Sequence, residues 1–535
     1  MDWKILHGLA LLLFISEALA GINIISTVAN LTSRPLQKLF ADLKDFIEIA
    51  AENGYIAEKH DVVTVDGYIL TMFRIPPKEN CTKKVPILVM HGLLQGAEGF
   101  LDAGPEAPGF LLAQECYDSW FGNVRGNYHS RRHKTLNPDK DLKFWQFSVD
   151  EIGKYDIPAM VDYVLDATAM KQLMYLGYSQ GGLAYFVMNS ERPEYAKKIK
   201  LFLGLAPASR QYNTRSVSTR VAASTTNSLR LPLEAAGVWE LLSQGFPIQG
   251  ALNTLCTIKL LSAVVCGTVK TLVDSAHPGS VTPEIQERLF QHAPAGSSVQ
   301  NFAWYGQSFK SLKFSKFDFG RLKNMLVYGN STPPEYYIGA STSPAVIFHG
   351  DGDHLVDTKD VAWAVEGLPN VLEFYIVKDP LWNHIDLCYS RYWKDIIFVP
   401  MKKYLNQYDS LDDDDNEIYS RRTHVDTLAS SHLPGPFSRA GAAADAAENL
   451  KRRKYAALDT GCMFEPFGVE TLGPWGQGAH SVYKELAKRL IDATGDRKVG
   501  AHLAQRIGVA VQRGNAASLL GTLPVGTDLG PIFYL

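Results

Sequence analysis

The chain has little cysteine, almost no excess of charge and no recognisable metal or phosphate motif, and each shortage excludes a class of protein. Six cysteines among 535 residues are too few for a small fold built on disulfides. A formal net charge of −3 gives no electrostatic reason to expect nucleic-acid binding. Zinc-ligand spacings and phosphate-cradling glycine loops are absent from the sequence, so we expect no metal and no other cofactor.

Long apolar runs are also scarce, and the one at the N-terminus is of the targeting type. A weakly basic start is followed by an apolar stretch over Ile5 to Ile15 and by Ala18-Leu19-Ala20, a small-residue cleavage pattern. The stretch is short for a bilayer span, so residues 1–20 are predicted to be a cleaved signal peptide rather than an anchor. Since no later run of about 20 apolar residues follows, we expect no transmembrane segment.

A secretory route makes the N-glycosylation sequons meaningful. They begin at Asn30, Asn80 and Asn330. Pro333 follows the last of them, and we expect it to hinder modification of Asn330. All three are candidate acceptor sites.

Short apolar runs bounded by turn residues alternate with helical patterns, which is typical of buried parallel strands. The runs are 85–90, 173–176, 201–205, 344–348 and 371–377, and two extended segments, 61–65 and 68–75, flank Asp66-Gly67. This alternation predicts an α/β fold with a mostly parallel sheet.

Between about residues 209 and 334 helical patterns replace the strands. They cover Leu233 to Gln244, Leu252 to Val273 and Pro283 to His292. The insertion is longer than one crossover helix requires, so we predict a helical cap over the functional edge of the sheet. The apolar run 260–265 is open to two interpretations, ordinary packing within the cap or a lipid-facing lid.

Ser179 is the predicted nucleophile. It lies in Gly177-Tyr178-Ser179-Gln180-Gly181, directly after an apolar strand pattern and before a helical one. A G-x-S-x-G segment in that context forms a sharp strand-to-helix turn that exposes the serine hydroxyl. The flanking glycines avoid a collision of side chains with neighbouring backbone.

A serine nucleophile needs a base, and the base needs an orienting carboxylate. With this turn the chain order is serine, acid, histidine. Asp353 and His384 follow the last two predicted strands, and open α/β sheets place their ligands at such strand ends. The order and the topology therefore favour Ser179, Asp353 and His384 together.

Other residues compete for two of these roles. Asp351 is only two positions from the predicted acid, and the residues alone barely separate the two. Asp357 and Asp360 fit better at the start of a helix. His349 and His354 are alternative bases, but both lie on the loop of the carboxylate itself.

An oxyanion hole requires two backbone N–H groups near the nucleophile. One is predicted from Gln180, the residue after the serine. The other is predicted from Leu93, in the His91-Gly92-Leu93-Leu94 segment that ends an apolar strand.

From Tyr55 to Leu405 the chain resembles the acid lipases, the family that includes lysosomal acid lipase and gastric lipase. Beyond the segments quoted above, the resemblance rests on 123–127 (N-x-R-G-N), 144–151, 154–159, 294–301 and 317–320. The family's pattern around its acid aligns with 352–361, which selects Asp353 over Asp351, and its nucleophile and base correspond to Ser179 and His384. The resemblance implies a capped α/β-hydrolase fold without cofactor. It implies a secreted or lysosomal enzyme that hydrolyses triglycerides or cholesteryl esters at a lipid–water interface.

The chain departs from the family in several places. Tyr178 stands where the family usually has histidine, and Gly352 replaces a polar residue. The family often carries a disulfide in the cap, and the resemblance implies Cys256 and Cys266 as its counterpart here.

The C-terminal part is predicted to be separate from the hydrolase domain, which we place at 21–405. Residues 406–455 contain an acidic run and an Ala-rich stretch and are expected to be a linker. Residues 456–535 are expected to be an unrelated tail. Within it, Glu470 to Pro524 resembles the terminal piece of retroelement reverse-transcriptase proteins, without the paired aspartates of a polymerase, which favours a gene fusion or a mispredicted exon.

Two other functions remain open from the sequence. A carboxylesterase for short soluble esters would differ only in its cap. A non-catalytic lipid-binding protein on a hydrolase scaffold would commonly lack one of the three catalytic side chains, and this chain keeps all of them.

Overall fold

The computed structural model describes residues 44–78, 81, 85–243 and 273–409, the backbone of 423–425 and 468–470, and scattered residues from 480 to 505. The chain divides into two units, Met1–Leu411 and Asp412–Leu535. In the second unit the short strands Thr423–Val425 and Gly468–Glu470 pair in parallel. The predicted signal peptide, Asn30, Asn80 and the Cys256/Cys266 pair lie outside the described residues.

One eight-stranded sheet organises the first unit, in the order β1-β2-β4-β3-β5-β6-β7-β8. Its strands are β1 Glu58–Val63, β2 Ile69–Ile75, β3 Ile87–Met90, β4 Ser119–Gly122, β5 Leu173–Tyr178, β6 Ile199–Leu205, β7 Ala345–Gly350 and β8 Val371–Val377. The pairs β1/β2 and β2/β4 are antiparallel, and every other pair is parallel. The prediction of an α/β fold with a mostly parallel sheet is therefore confirmed.

The central strands are continuous apolar runs because both faces of the sheet are covered. Every residue of β3, β5, β6 and β7 is buried. Strand β4 was not predicted, since its four residues, Ser-Trp-Phe-Gly, are too few to show a period. It is defined by its neighbours, β2 on one side and β3 on the other.

Helices cover the sheet and build the cap. They are α1 Phe46–Glu52, α2 Pro108–Gln114, α3 Val149–Glu151, α4 Ile157–Thr168, α5 Gln180–Glu191, α6 Val217–Ala235, α7 Pro283–His292, α8 Val299–Ser308, α9 Arg321–Tyr328, α10 Thr358–Gly367, α11 Asp386–Tyr389 and α12 Val399–Tyr408. No helix among the described residues is both long enough and apolar enough to cross a bilayer.

The cap confirms one predicted helix and corrects another. Helix α7 has the predicted bounds, with Thr282 capping it and Pro283 at its first position. The helix predicted over 233–244 is wrong from Ala236 to Ser243, where this described segment ends, because Gly237 takes a positive φ of 82°. The chain then forms a short strand, Glu240–Leu241, that pairs with Ser297–Ser298.

A disulfide between Cys81 and Cys116 was not predicted. It joins the segment after β2 to the end of α2, across a sequence separation of 35 residues. Cys388 is free and buried. The sequence offers no signal for such a pairing, because connectivity depends on distances that only the fold sets.

Candidate active site

Ser179 occupies a strained turn between β5 and α5. Its φ of 53° and ψ of −115° lie outside the regions that non-glycine residues usually adopt. A Cβ on Gly181 would lie 2.3 Å from the carbonyl oxygen of Met90, and one on Gly177 would lie 2.7 Å from the backbone nitrogen of Gly182. Glycine is therefore required at both positions, and Ser179 is held half-buried at the end of the strand.

Asp353 lies in the loop after β7 and is completely buried. Its Oδ1 accepts hydrogen bonds from the backbone N–H groups of Leu355 and Val356, at 2.9 and 2.8 Å. Its Oδ2 lies 2.7 Å from Nδ1 of His384. Both carboxylate oxygens thus have donors that fix the orientation of the group.

The competing carboxylates have other partners. Asp351 is exposed and accepts a hydrogen bond from the hydroxyl of Thr358. Asp357 caps the first turn of α10, and Asp360 pairs with Arg210. The structure thus brings Asp353, and not these three, to His384.

His384 follows β8 and is 5 % exposed. Because its Nδ1–H donates to Asp353, its Nε2 is the nitrogen left for a substrate or nucleophile. The ring of Tyr178, the residue before Ser179, lies over the His384 ring with centroids 5.0 Å apart. The Tyr178 hydroxyl also donates to the His384 carbonyl oxygen at 2.9 Å. The imidazole is thereby placed next to the strained turn.

The other candidate histidines are placed differently. His349 is completely buried in β7, and its Nδ1 lies 3.9 Å from Asp353 Oδ2. Its Nε2 instead meets the hydroxyl of Thr358 at 3.1 Å. His354 contributes its backbone N–H, not its ring, to the local network.

The pKa of His384 is raised above its ordinary value. Burial lowers this pKa, but the charge of Asp353, the hydrogen bond to it and the charge of Asp274 together outweigh burial. For His91, in contrast, burial lowers the pKa to about 4. His91 is thus neutral, with Nδ1 2.7 Å from the Gly92 carbonyl oxygen and Nε2 accepting from the Val124 N–H.

The loop after β3 passes beside the nucleophile. A Cβ on Gly92 would lie 3.1 Å from the Cβ of Ser179. The Gly92 N–H donates to the side chain of Gln95, which fixes the turn that holds Leu93. On the other side, Gln180 is the first residue of α5, where a backbone N–H has no acceptor within the helix. Both predicted oxyanion donors therefore belong to segments that adjoin Ser179.

Arg125 gives a structural role to two of the family segments, 123–127 and 154–159. It is 1 % exposed on its side chain and binds Asp156 and Asp66, each through a distance of 2.7 Å. Its guanidinium also lies 3.9 Å from the centre of the Tyr68 ring. This buried network ties the segment after β4 to Asp156, which directly precedes α4.

Four residues of the site were missed as contributors. Asn301 and Tyr305, on cap helix α8, donate to the side-chain oxygen of Gln180 at 2.9 and 3.1 Å. Asp274 accepts from the backbone of His384 at 2.7 Å. In the sequence, Tyr178 shows only a departure from the family pattern. Asn301 lies in the family segment 294–301, whereas the residues around Asp274 carry no distinguishing pattern. Among the described residues, no three side chains are grouped as metal ligands.

The chain is similar in sequence to known hydrolases and lipases. Residues 46–104 match the family model described as a partial alpha/beta-hydrolase lipase region, and residues 85–208 match the alpha/beta hydrolase fold. Lipase 3 of Drosophila melanogaster is 35% identical over 371 residues, which cover 69% of this chain and 94% of that protein. Human gastric triacylglycerol lipase is 33% identical, with 63% and 84% covered. The lysosomal acid lipase/cholesteryl ester hydrolase of Macaca fascicularis is 34% identical, with 67% and 90% covered.

The fold and the strained serine turn define an α/β-hydrolase. At this identity and coverage of the relatives, the chain belongs to the acid lipase family. A solved thermophilic esterase from Thermogutta terrifontis covers 66% of this chain and 100% of its own, with 10% identity and a TM-score of 0.38.

Proposed function

We propose that the chain is a lipase that hydrolyses carboxylic esters of neutral lipids through an acyl-enzyme on Ser179. The substrates are triglycerides and, as a second class, cholesteryl esters. The proposal is supported by the family and by relatives whose names include triacylglycerol lipase and cholesteryl ester hydrolase. The observation that carries it is the hydrogen bond of the buried Asp353 to His384, beside the strained turn of Ser179.

In the proposed mechanism His384 takes the proton of the Ser179 hydroxyl as the oxygen attacks the ester carbonyl. The N–H groups of Leu93 and Gln180 stabilise the negative charge of the tetrahedral intermediate. His384 then protonates the departing alcohol, and a water molecule releases the fatty acid by the same route. Asp353 keeps the imidazole in one tautomer and stabilises its cation.

A two-part experiment tests this function. The full chain is treated with a serine-reactive alkyl phosphonate, and the labelled residue is identified by mass spectrometry. Rates are then measured on emulsified long-chain triglyceride, cholesteryl oleate and a short-chain soluble ester. We expect labelling of Ser179 and hydrolysis of the long-chain esters, with both lost in Ser179→Ala.

The outcomes separate the alternatives. Folded protein that is neither labelled nor active would be a non-catalytic lipid binder, and the proposal would be wrong. Labelling with normal short-chain rates and no long-chain activity would identify a carboxylesterase. Ser190→Ala is a suitable control, because Ser190 lies near the end of α5 and its hydroxyl only accepts a hydrogen bond from the backbone N–H of Tyr337.

We further propose that the protein enters the secretory pathway after removal of residues 1–20. The Cys81–Cys116 disulfide supports an oxidising compartment, and Asn330 is exposed just after α9. N-terminal sequencing and the mass change on enzymatic deglycosylation test both points. A mature N-terminus at Met1 would contradict the proposal.

The region beyond residue 405 is proposed to take no part in hydrolysis. Supporting this, Lipase 3 of Drosophila melanogaster has 94% of its length matched by 69% of this chain. The proposal includes the retroelement origin of residues 470–524, within the tail 456–535. A truncated chain ending at residue 411 should keep the ester-hydrolysing activity of the full chain, and a large loss of activity in soluble, folded protein would contradict this.

A further inference from the structure

Asp274 is a buried carboxylate in the cap insertion, only 2 % exposed, that contacts both loops of the site. Its Oδ2 accepts hydrogen bonds from the N–H groups of His384 and Ile385, at 2.7 and 3.3 Å. Its Oδ1 accepts from the N–H groups of His354 and Ser275, each at 2.8 Å. One side chain thus binds the loop of the base, the loop of the acid and its own segment.

The residue that follows Asp274 repeats this connection. The Ser275 hydroxyl donates to the carbonyl oxygen of Gly352, and the Ser275 carbonyl accepts from the side chain of Asn383. Gly352 and Asn383 directly precede Asp353 and His384 in the chain. The segment therefore fixes the distance between the two loops whose side chains meet at Asp353 and His384.

The four N–H donors around Asp274 favour its ionised carboxylate. Only the ionised form has enough acceptor capacity for four N–H donors, because a protonated oxygen would direct its own O–H at a donor. Burial and the neighbouring Asp353 charge raise the pKa of Asp274 to about 7, while His384 and the backbone N–H groups lower it. These donors offset only part of the cost of placing a second carboxylate beside Asp353, because the pKa of Asp274 stays above its ordinary value.

We propose that Asp274 is a positioning residue. It holds the loop of Asp353 and the loop of His384 in a fixed relative position, and it stabilises the cation that His384 carries during acyl transfer. The inference rests on the proposed function, since it assigns a part in the same hydrolysis. Asp274 does not contact the reacting atoms. It acts through the backbone of His384 and through its negative charge.

Other charged groups also surround this position. Asp353, His384 and His354 belong to the loops that Asp274 contacts. The other charged groups are the Arg215 guanidinium, which donates to the Asp353 carbonyl, and the pair of His277 with Asp386. His349 Nδ1 lies 3.9 Å from Oδ2 of Asp353. A substitution at Asp274 leaves these side chains in place, so a comparison of Asp274→Asn with the wild type measures the effect of losing one carboxylate charge.

The experiment compares the full chain with Asp274→Asn and Asp274→Ala, using a soluble short-chain ester over a range of pH. In Asp274→Asn we expect the plateau value of kcat/KM to fall about 10- to 100-fold, because the base is displaced from its productive geometry. We also expect the acid limb of the profile to move to lower pH, since loss of a negative charge destabilises the imidazolium. Asp274→Ala should lose more activity than Asp274→Asn, which keeps one acceptor oxygen.

Asp150→Asn is the matched control. Asp150 is also a buried carboxylate whose pKa is raised to about 7, first by burial, and it accepts from the Phe317 N–H and the Tyr336 hydroxyl. Its substitution should lower stability and leave the acid limb where it is. If Asp274→Ala does not fold, Asp274→Asn still tests the inference. The pH position of its acid limb does not depend on how much of the protein is folded, because only folded enzyme contributes to the rate.

The results distinguish failure of the inference from failure of the function. A wild-type chain that hydrolyses no ester overturns the proposed function and the inference with it. An active wild type with an Asp274→Asn variant that keeps kcat/KM within about twofold and an unmoved acid limb overturns the inference alone.

Discussion

The Oδ2 atom of Asp353 lies 2.7 Å from Nδ1 of His384, and both side chains are closed off from solvent. This hydrogen bond fixes which imidazole nitrogen carries the proton. Asp353→Asn would present an amide that favours the wrong tautomer, so we expect kcat to fall by about 10⁴-fold. Asp351→Asn, on the same loop but exposed, should leave kcat unchanged. Steady-state rates of the two variants settle a choice that the sequence alone leaves nearly even, and the reverse pattern would assign the role to Asp351.

The raised pKa of His384 predicts how activity depends on pH. The base must be neutral to accept the Ser179 proton, so kcat/KM rises with pH through the pKa of the free enzyme. Since Asp353 and Asp274 outweigh burial and raise that pKa above 6.5, we expect the acid limb above pH 6.5. Activity should therefore fall as the pH drops toward lysosomal values. A limb below the ordinary histidine value, in a profile from about pH 4 to about pH 9, would contradict this.

Gly181→Ala tests the turn that holds the nucleophile. The added Cβ would lie 2.3 Å from the Met90 carbonyl oxygen, so strand β3 and the turn must separate. We expect a loss of roughly 1–3 kcal/mol in the free energy of unfolding and a large fall in kcat/KM. Gly237→Ala is the control, because its φ is also unfavourable for alanine while nothing lies within 4 Å of the added atom. It should lose stability and keep its activity. Denaturant unfolding and ester kinetics measure both effects.

Tyr178→Phe removes one hydroxyl and keeps the ring over His384. The lost hydrogen bond, at 2.9 Å to the His384 carbonyl oxygen, helps to hold the base loop. A neutral hydrogen bond of this kind contributes about 0.5–1.5 kcal/mol, so we expect kcat/KM to fall about 2- to 10-fold. Tyr328→Phe removes a bond of the same length to the Phe317 carbonyl, within the cap. An equal effect of both variants on the rate would show that Tyr178 acts only through general stability.

Arg125→Met tests the buried ion network. Its removal leaves the carboxylates of Asp156 and Asp66 without their shared cation, and we expect about 3–5 kcal/mol of lost stability at neutral pH. Burial already raises the pKa of Asp156 to about 6, and Arg125 lowers it. Without Arg125 that pKa rises further, so the loss should shrink as the pH falls and Asp156 becomes neutral.

The control for this variant is Arg132→Met, which breaks a half-exposed pair with Asp61. We expect it to change the free energy of unfolding by less than about 1 kcal/mol. Thermal or denaturant unfolding at two pH values measures both variants. A similar loss in the two, or a loss in Arg125→Met that grows at low pH, would contradict the assignment.

The sequence predicts most of the sheet because central parallel strands are unbroken apolar runs. It also brings Asp353 and His384 to one edge, since the carboxyl ends of parallel strands meet there. Helix α7 is predicted to the residue, because Thr282 and Pro283 are local start signals. The catalytic roles of Asp353 and His384 stay predictions that the experiments above test. The same holds for the roles of Ser179, Leu93 and Gln180.

What could not be predicted depends on partners that are distant in the chain. Asp274 lies 110 residues before His384 and 80 before His354, and its own neighbours in sequence carry no motif. Strand β4 is only four residues long, and its extended conformation depends on pairing with β2 on one side and β3 on the other. Cys81 and Cys116 are likewise joined by the fold alone.

The side-chain oxygen of Gln180 is shared by Asn301 and Tyr305 of helix α8. Gln180, the residue after the nucleophile, is therefore hydrogen-bonded to the cap insertion. The same insertion would have to change for the protein to prefer another substrate. If the insertion of another lipase is grafted onto this protein, we expect activity only when the graft supplies an amide at the position of Asn301 and a phenol at that of Tyr305. New specificity in this protein is thus expected to come from the segments between these anchors, while the anchors themselves stay.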